Sequence, residues 1–418
     1  MTPVEFIPPL AAGLLISRWL AETALGFLNQ REVQAHADEV PAPFRETVTP
    51  ETYRNTVAYS LAKLRFGRWE DGWSTVVTLA ALFSGLLPQS LDWTQEKLGE
   101  SAWANAAWLF GVGVLLSLPG FPFDWWGQFR LEERFGFNTT TQRLWWFDRL
   151  KGLLLAALLG YPLLVLVVKL FGWMGDRWWL WAWAVMMGFQ LVMMVLAPIF
   201  ILPLFNKLTP LTDGTLRDRL LALGERTGFS AKTILVMDGS KRSRHSNAFF
   251  TGFGRFRKIV LFDTLISQLS EPELEAVLAH EVGHYKRGHI PKMLLWSAAS
   301  SLAGFAVIGW LARSSWFTEG FGFAADGGVA PTLLLFALLS GSVTFWLSPL
   351  ANFWSRKHEF EADAYAANAV GTSAPLIGAL RKLTEKNLSN LTPHPWFSAW
   401  HYSHPTLLER ETAMKPAA

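Results

Sequence analysis

The chain contains no cysteine in its 418 residues. That excludes disulfides, a thiolate nucleophile and any metal site built on sulfur. A bound metal would have to be held by His, Asp or Glu, and histidine is itself scarce, at 9. Charge is sparse too: 17% of residues are charged, against about 25% in ordinary soluble domains. The formal net charge is only +3. With no basic stripe interleaved with aromatics, nucleic acid is excluded as a partner. No internal repeat or low-complexity segment interrupts the chain. The N-terminal segment lacks a basic n-region and a small-residue cleavage site, so its apolar run, 4–27, is expected to stay as an anchor.

Apolar residues are abundant, at 51%. About seven runs are long enough to cross roughly 30 Å of hydrocarbon. They cover 4–27, 74–93, 102–120, 152–173, 179–204, 293–313 and 331–353. A lipid bilayer is therefore the first expected partner. Tryptophan is enriched, at 22. Pairs such as Trp125-Trp126, Trp145-Trp146 and Trp178-Trp179 flank apolar runs, where an interfacial belt would lie. Arg18 and Glu22 fall inside the first run and are expected to lie near the interface and snorkel.

Loop charges set the orientation. Arg31, Arg45, Arg54, Lys63, Arg65 and Arg68 follow the first run, and Arg130, Arg134, Arg143 and Arg149 follow the third. The 206–292 insertion and the C-terminal tail are also rich in Lys and Arg. The opposite loops hold mainly Lys97, Arg177 and Arg313. The basic side should be cytoplasmic, with the N-terminus outside and the C-terminus inside.

The long polar insertion reads as α+β. Leucines at helical spacing mark a helix over 216–227, and 233–237 and 258–262 read as buried strands. Ser270 is a good N-cap, with Glu273 completing a capping box. The helix that follows runs through His284, with Lys286, Arg287 and Gly288 at its end. The expected organisation is 1–205, five membrane helices; 206–292, a catalytic insertion; 293–356, two further membrane helices; and 357–418, a helix and tail that complete the site.

The insertion helix carries His280-Glu-Val-Gly-His284, an H-E-x-x-H pattern. Histidines four apart share one helical face, so both imidazoles can reach one metal ion. Glu281 can then take a proton from an attacking water. A catalytic zinc site uses three protein ligands and keeps one position open. His289 is five residues beyond His284, one short of the metzincin spacing. The better source is 355–363, S-R-K-H-E-F-E-A-D, where Glu359 and Asp363 share a face and Glu361 points elsewhere. One carboxylate can be the ligand while Asp363 accepts the free N–H of a ligating imidazole.

At this point the chain resembles the type I CAAX prenyl proteases, integral-membrane zinc endopeptidases of the a-factor-converting family. The matching pieces stand in order: F-R-L-E-E-R-F-G-F-N-T-T-T at 129–141, H-S-N-A-F-F-T-G at 245–252, the zinc helix with its trailing Gly288-His289, the 355–363 segment, and H-P-T-L-L-E-R at 404–410. The resemblance implies an all-α polytopic membrane protein with a small α+β gluzincin-type insertion and one Zn2+ per chain. It implies His280, His284 and Glu359 as ligands and Glu281 as general base. His404 would stabilise the oxyanion, Asn247 would contact substrate, and Asp363 would orient a ligand. The implied partner is a peptide or protein substrate, C-terminally lipidated ones included. An edge strand near 247–251 could pair with an extended peptide. His245 and His401 are expected to be structural. The tail, K-P-A-A at 415–418, carries no endoplasmic-reticulum retrieval signal, so the expected location is a bacterial inner membrane. Two rivals remain: a quality-control protease of the HtpX type, which is shorter with about four spans, and a transporter or scaffold with an inert H-E-x-x-H.

Overall fold

The structure, a computed structural model, describes residues 2–229, 233–251, 258–325 and 327–415. Gly252 of the 245–252 motif and residues 416–418 of the tail lie outside the described residues. Six helices there are long and apolar enough to cross a bilayer: Pro3–Ala35, Ala102–Glu132, Gln142–Trp173, Gly175–Phe205, His289–Leu311 and Val329–Val370. The protein is an integral, multi-pass membrane protein, and large apolar side chains on these helices are exposed, Leu158, Leu295, Leu350 and Phe353 among them.

The expected second span, 74–93, is not one straight helix. Pro50–Phe83 and Leu86–Leu98 meet at a 56° bend. Gly85 between them has φ +73°, a left-handed conformation that ends one helix and that glycine adopts without strain. The tryptophan pairs also divide. Trp126 and Trp146 are exposed, whereas Trp145 and Trp178 are buried packing residues. Glu22 has a partner instead of snorkelling alone: His401 Nε2 stands 3.3 Å from its carboxylate. His401 is the last residue of the short Pro395–His401 helix.

The insertion forms a four-stranded sheet: β1 (Leu208–Pro210), β2 (Thr233–Met237), β3 (Ala248–Thr251) and β4 (Lys258–Phe262). Their order is β1-β2-β4-β3. β2 and β4 run parallel, with Leu235 opposite Val260, and β3 pairs antiparallel with β4, Ala248 opposite Leu261. β3 is therefore an edge strand. β1 was too short to show in the sequence pattern. The Glu271–Lys286 helix starts with the expected Ser270–Glu273 capping box.

This unit is not confined to the insertion. One apolar core joins Leu220, Ile234, Leu261, Leu278 and Val282 to Ala366, Leu376 and Ala379 from the C-terminal helices. The basic loops gather at the same end of the bundle. Thr140 donates to the Arg242 carbonyl at 3.0 Å, and Arg242 Nε meets Asp148 at 2.8 Å. Glu132, in the 129–141 motif, accepts from Tyr59 Oη at 2.7 Å and stands 3.2 Å from His245 Nε2. The His245 ring stacks on Phe137 at 4.0 Å. His245 thus ties the membrane half to the loop that leads through Asn247 into β3.

Candidate metal centre

The Glu271–Lys286 helix lies along the Ser348–Val370 helix, and Gly283 sets how close they come. A Cβ at Gly283 would stand 3.0 Å from both Cα and the carbonyl oxygen of Ala362. Only glycine lets the backbones approach this far. The approach brings the first turn after His280 against the segment that carries Glu359 and Asp363.

Three side chains converge there. His280 Nε2 and His284 Nε2 are 3.2 Å apart. Glu359 Oε2 is 3.5 Å from the first, and Oε1 is 3.3 Å from the second. Around a tetrahedral zinc with bonds of about 2.0–2.1 Å, ligand atoms are separated by about 3.3–3.4 Å. The imidazole–imidazole distance and the distance from each imidazole to one of the two Glu359 oxygens are near that spacing, and one ligand atom from each residue lies within 4.8 Å of the others. Among the described residues, this is the one His/Cys/Asp/Glu group with ligand atoms that close. The donor set, two imidazole nitrogens and a carboxylate oxygen, is a known catalytic zinc set.

The charges fit a cation as well. Glu359 Oε2 is buried and has no hydrogen-bond partner, and such an atom is costly unless something positive meets it. Burial alone would disfavour a charged His280. The Asp363 and Glu359 carboxylates outweigh burial and move its pKa up to about 9. The same field that favours a proton here favours a metal ion.

His280 is fixed from behind. Its Nδ1 is 2.8 Å from Asp363 Oδ1. A carboxylate only accepts, so Nδ1 carries the proton and Nε2 offers its lone pair to the centre. Asp363 is held in turn by Arg410, which donates from Nε at 2.8 Å to one carboxylate oxygen and from Nη2 at 2.6 Å to the other. Arg410 also reaches within 3.9 Å of Glu359. Sequence reasoning gave Arg410 no role; its place at the end of the 404–410 motif was the signal.

Glu281, Asn247, His404 and Arg410 line one cavity of about 150 Å³ with His280 and Glu359. Burial pushes the Glu281 carboxyl above its ordinary range. His404 Nε2 lies 3.6 Å from Glu359 Oε1, and its ring is largely exposed to the cavity mouth. Asn247 precedes the edge strand β3, next to the Ser246 and Ala248 portions of the cavity wall. His404 also lines a second, larger cavity of about 700 Å³, together with His245, His401 and Lys63. Glu361 does point elsewhere: it pairs with His289 at 2.9 Å.

Comparison with known proteins bears directly on this geometry. Residues 29–207 match the family model described as CAAX prenyl protease N-terminal, five membrane helices. Residues 210–417 match the model of peptidase family M48. The chain is 36% identical over 415 residues to CAAX prenyl protease 1 homolog of Oryza sativa, covering 96% of each chain. It is 35% identical to CAAX prenyl protease 1 of Saccharomyces cerevisiae, covering 93% of this chain and 91% of that protein. The crystal structure of S. mikatae Ste24p superposes with a TM-score of 0.90 at 32% identity, over 99% of both chains. Likeness over the whole length, membrane helices included, sets the shorter HtpX type aside. The chain belongs to peptidase family M48 and is a membrane metalloendopeptidase.

Proposed function

We propose that this protein is a zinc endopeptidase that cleaves near the C-terminus of prenylated peptides or proteins at the cytoplasmic face of a membrane. The observation that carries the metal assignment is the convergence of His280, His284 and Glu359: the two Nε2 atoms are 3.2 Å apart, and the two oxygens of Glu359 stand 3.5 Å from the first and 3.3 Å from the second. One zinc ion per chain would sit there, held by those three residues. When bound, it supplies Lewis-acid polarisation of the scissile carbonyl and makes water more acidic.

The remaining work falls to side chains. Glu281, desolvated in the cavity wall, takes the proton of the attacking water and passes it to the leaving amine. His404, at the mouth, donates to the oxygen where negative charge develops, an interaction worth about 3–4 kcal/mol in comparable sites. Asn247 contacts the substrate backbone while β3 offers its free edge to an extended peptide. Asp363, clamped by Arg410, keeps His280 in its ligating tautomer.

The prenylated substrate class is supported by the likeness over the whole chain to the CAAX prenyl proteases of Oryza sativa and Saccharomyces cerevisiae. The cytoplasmic face is supported by the basic loops gathered around the insertion, and the bilayer we assign is a bacterial inner membrane. We also propose the division 1–205, 206–292, 293–356 and 357–418, in which the second and fourth parts share one core.

The test is metal analysis of the purified protein together with cleavage of a peptide library, with and without C-terminal lipid. One zinc per chain and faster cleavage of the lipidated members are expected. A protein that takes up no zinc, or that cuts lipidated and plain peptides equally, overturns the metal or the substrate assignment respectively.

A further inference from the structure

His280 has a carboxylate behind it; His284, the other histidine of the pair, has a second histidine. His284 Nδ1 is 3.0 Å from His289 Nδ1. His289 Nε2 is 2.9 Å from Glu361 Oε2. His289 is only 1% exposed, whereas the Glu361 side chain reaches the surface. Gly288 makes the contact possible. Its φ of +67° turns the chain back between two helices, so that His289 opens the next helix directly behind His284.

The protons in this chain of groups can be placed by elimination. The Glu361 carboxylate only accepts, so His289 Nε2 carries a proton. Neutral His289 then offers a lone pair at Nδ1. His284 must donate to it from its own Nδ1, which leaves His284 Nε2 as a lone pair facing Glu359 and His280. The reverse arrangement would put a hydrogen on His284 Nε2 and bar it from a metal. A second metal is not the explanation. The His289 and His358 rings stack face to face at 4.0 Å and 15°, so their lone pairs do not converge.

We propose that Glu361, acting through His289, is the positioning residue that sets the ligating tautomer of His284. The segment 359–363 would then govern both imidazoles of the site. Glu359 and Asp363 lie on one helical face and reach His280 directly, and Glu361 faces the other way and reaches His284 by relay. His289 and Glu361 touch neither substrate nor reacting atoms. The inference rests on the metal-site assignment above, and its test separates the two.

Zinc affinity of the purified full-length protein is measured by competition with a chromogenic chelator, alongside the thermal midpoint of the zinc-free forms. Glu359→Ala serves as the control for the site itself, and it should not hold stoichiometric zinc; if it does, the ligand assignment fails. Glu361→Ala should still bind one zinc, but with a dissociation constant raised about 10- to 100-fold, the usual cost of losing a group that orients a ligand. Glu361→Gln keeps an oxygen to accept from His289 and should stay close to the unsubstituted protein. The proposal is overturned if Glu361→Ala binds zinc as tightly as the unsubstituted protein. It is equally overturned if Gln and Ala weaken binding alike, or if the zinc-free midpoint falls in step with affinity, since either would mark charge or packing in place of hydrogen-bond direction.

Discussion

Glu281 and Glu359 are both carboxylates on the wall of one cavity, yet their surroundings assign them different work. Glu359 faces two imidazole nitrogens at 3.3 and 3.5 Å. Burial is the dominant influence on Glu281, and burial favours its neutral form. Two carboxyls pushed apart in this way are the usual division between a ligand or charge stabiliser and a proton carrier. A base must be ionised, and Glu281 becomes ionised only above its raised pKa. Activity should therefore fall on the acid side as Glu281 takes up a proton. Glu281→Gln should remove that limb and lower kcat/KM by about 10²- to 10⁴-fold while zinc stays bound. A pH–rate profile of both proteins checks this; an acid limb that persists unchanged in Glu281→Gln would mean that Glu281 is not the group that titrates.

At this scale, what the sequence made legible was what helical spacing controls. His280 and His284 fall on one face because they are four apart, and Glu359 and Asp363 do so for the same reason. Arg410, His289 and Glu361 were not legible as a supporting set. Their partners lie 47 and 72 residues away, and the contacts depend on how the chain reverses at Gly288. The trailing Gly-His after the zinc helix and the E-x-E-x-D pattern were present to be read, but spacing alone does not say that they meet.

At the scale of elements, the site is a contact between two helices, and its precision depends on how near they lie. Gly283 sits where they touch, 3.0 Å from Ala362 when given a Cβ. The glycine inside H-E-x-x-H is thus a packing residue as much as a turn of phrase in a motif. Gly283→Val should wedge the helices apart and cost about 1–3 kcal/mol of stability, as overpacking does. Zinc affinity should fall with it, because Glu359 moves away from both histidines. Equal thermal midpoints and equal zinc affinity for Gly283→Val and the unsubstituted protein would show that the helices can part without disturbing the site. Element existence was well marked in the sequence: capping at Ser270, the two central strands and the apolar runs all follow local rules. The break at Gly85 was not, because hydropathy is blind to a left-handed glycine, and β1 is three residues long and pairs only through tertiary contact.

For the whole molecule, charge sets the orientation and the lack of cysteine makes it measurable. The basic loops meet the catalytic sheet at one end of the bundle, through contacts such as Arg242 with Asp148 and Thr140 with the Arg242 carbonyl. The turn holding Asp176, whose side chain is exposed, belongs to the opposite end. Lysine and arginine favour the cytoplasmic side, so the metal centre should face the cytoplasm. A chain without native cysteine makes this directly measurable, since any thiol introduced is the only one present. Asp213→Cys places a thiol on the exposed edge of the insertion, and Asp176→Cys places one at the far end. In sealed spheroplasts, a membrane-impermeant maleimide should label Asp176→Cys at once and Asp213→Cys only after the membrane is opened. The reverse pattern would invert the protein in its bilayer. It would also remove the ground for a cytoplasmic substrate, because a peptide bond can be cut only on the side where the edge strand, Glu281 and the metal centre stand together.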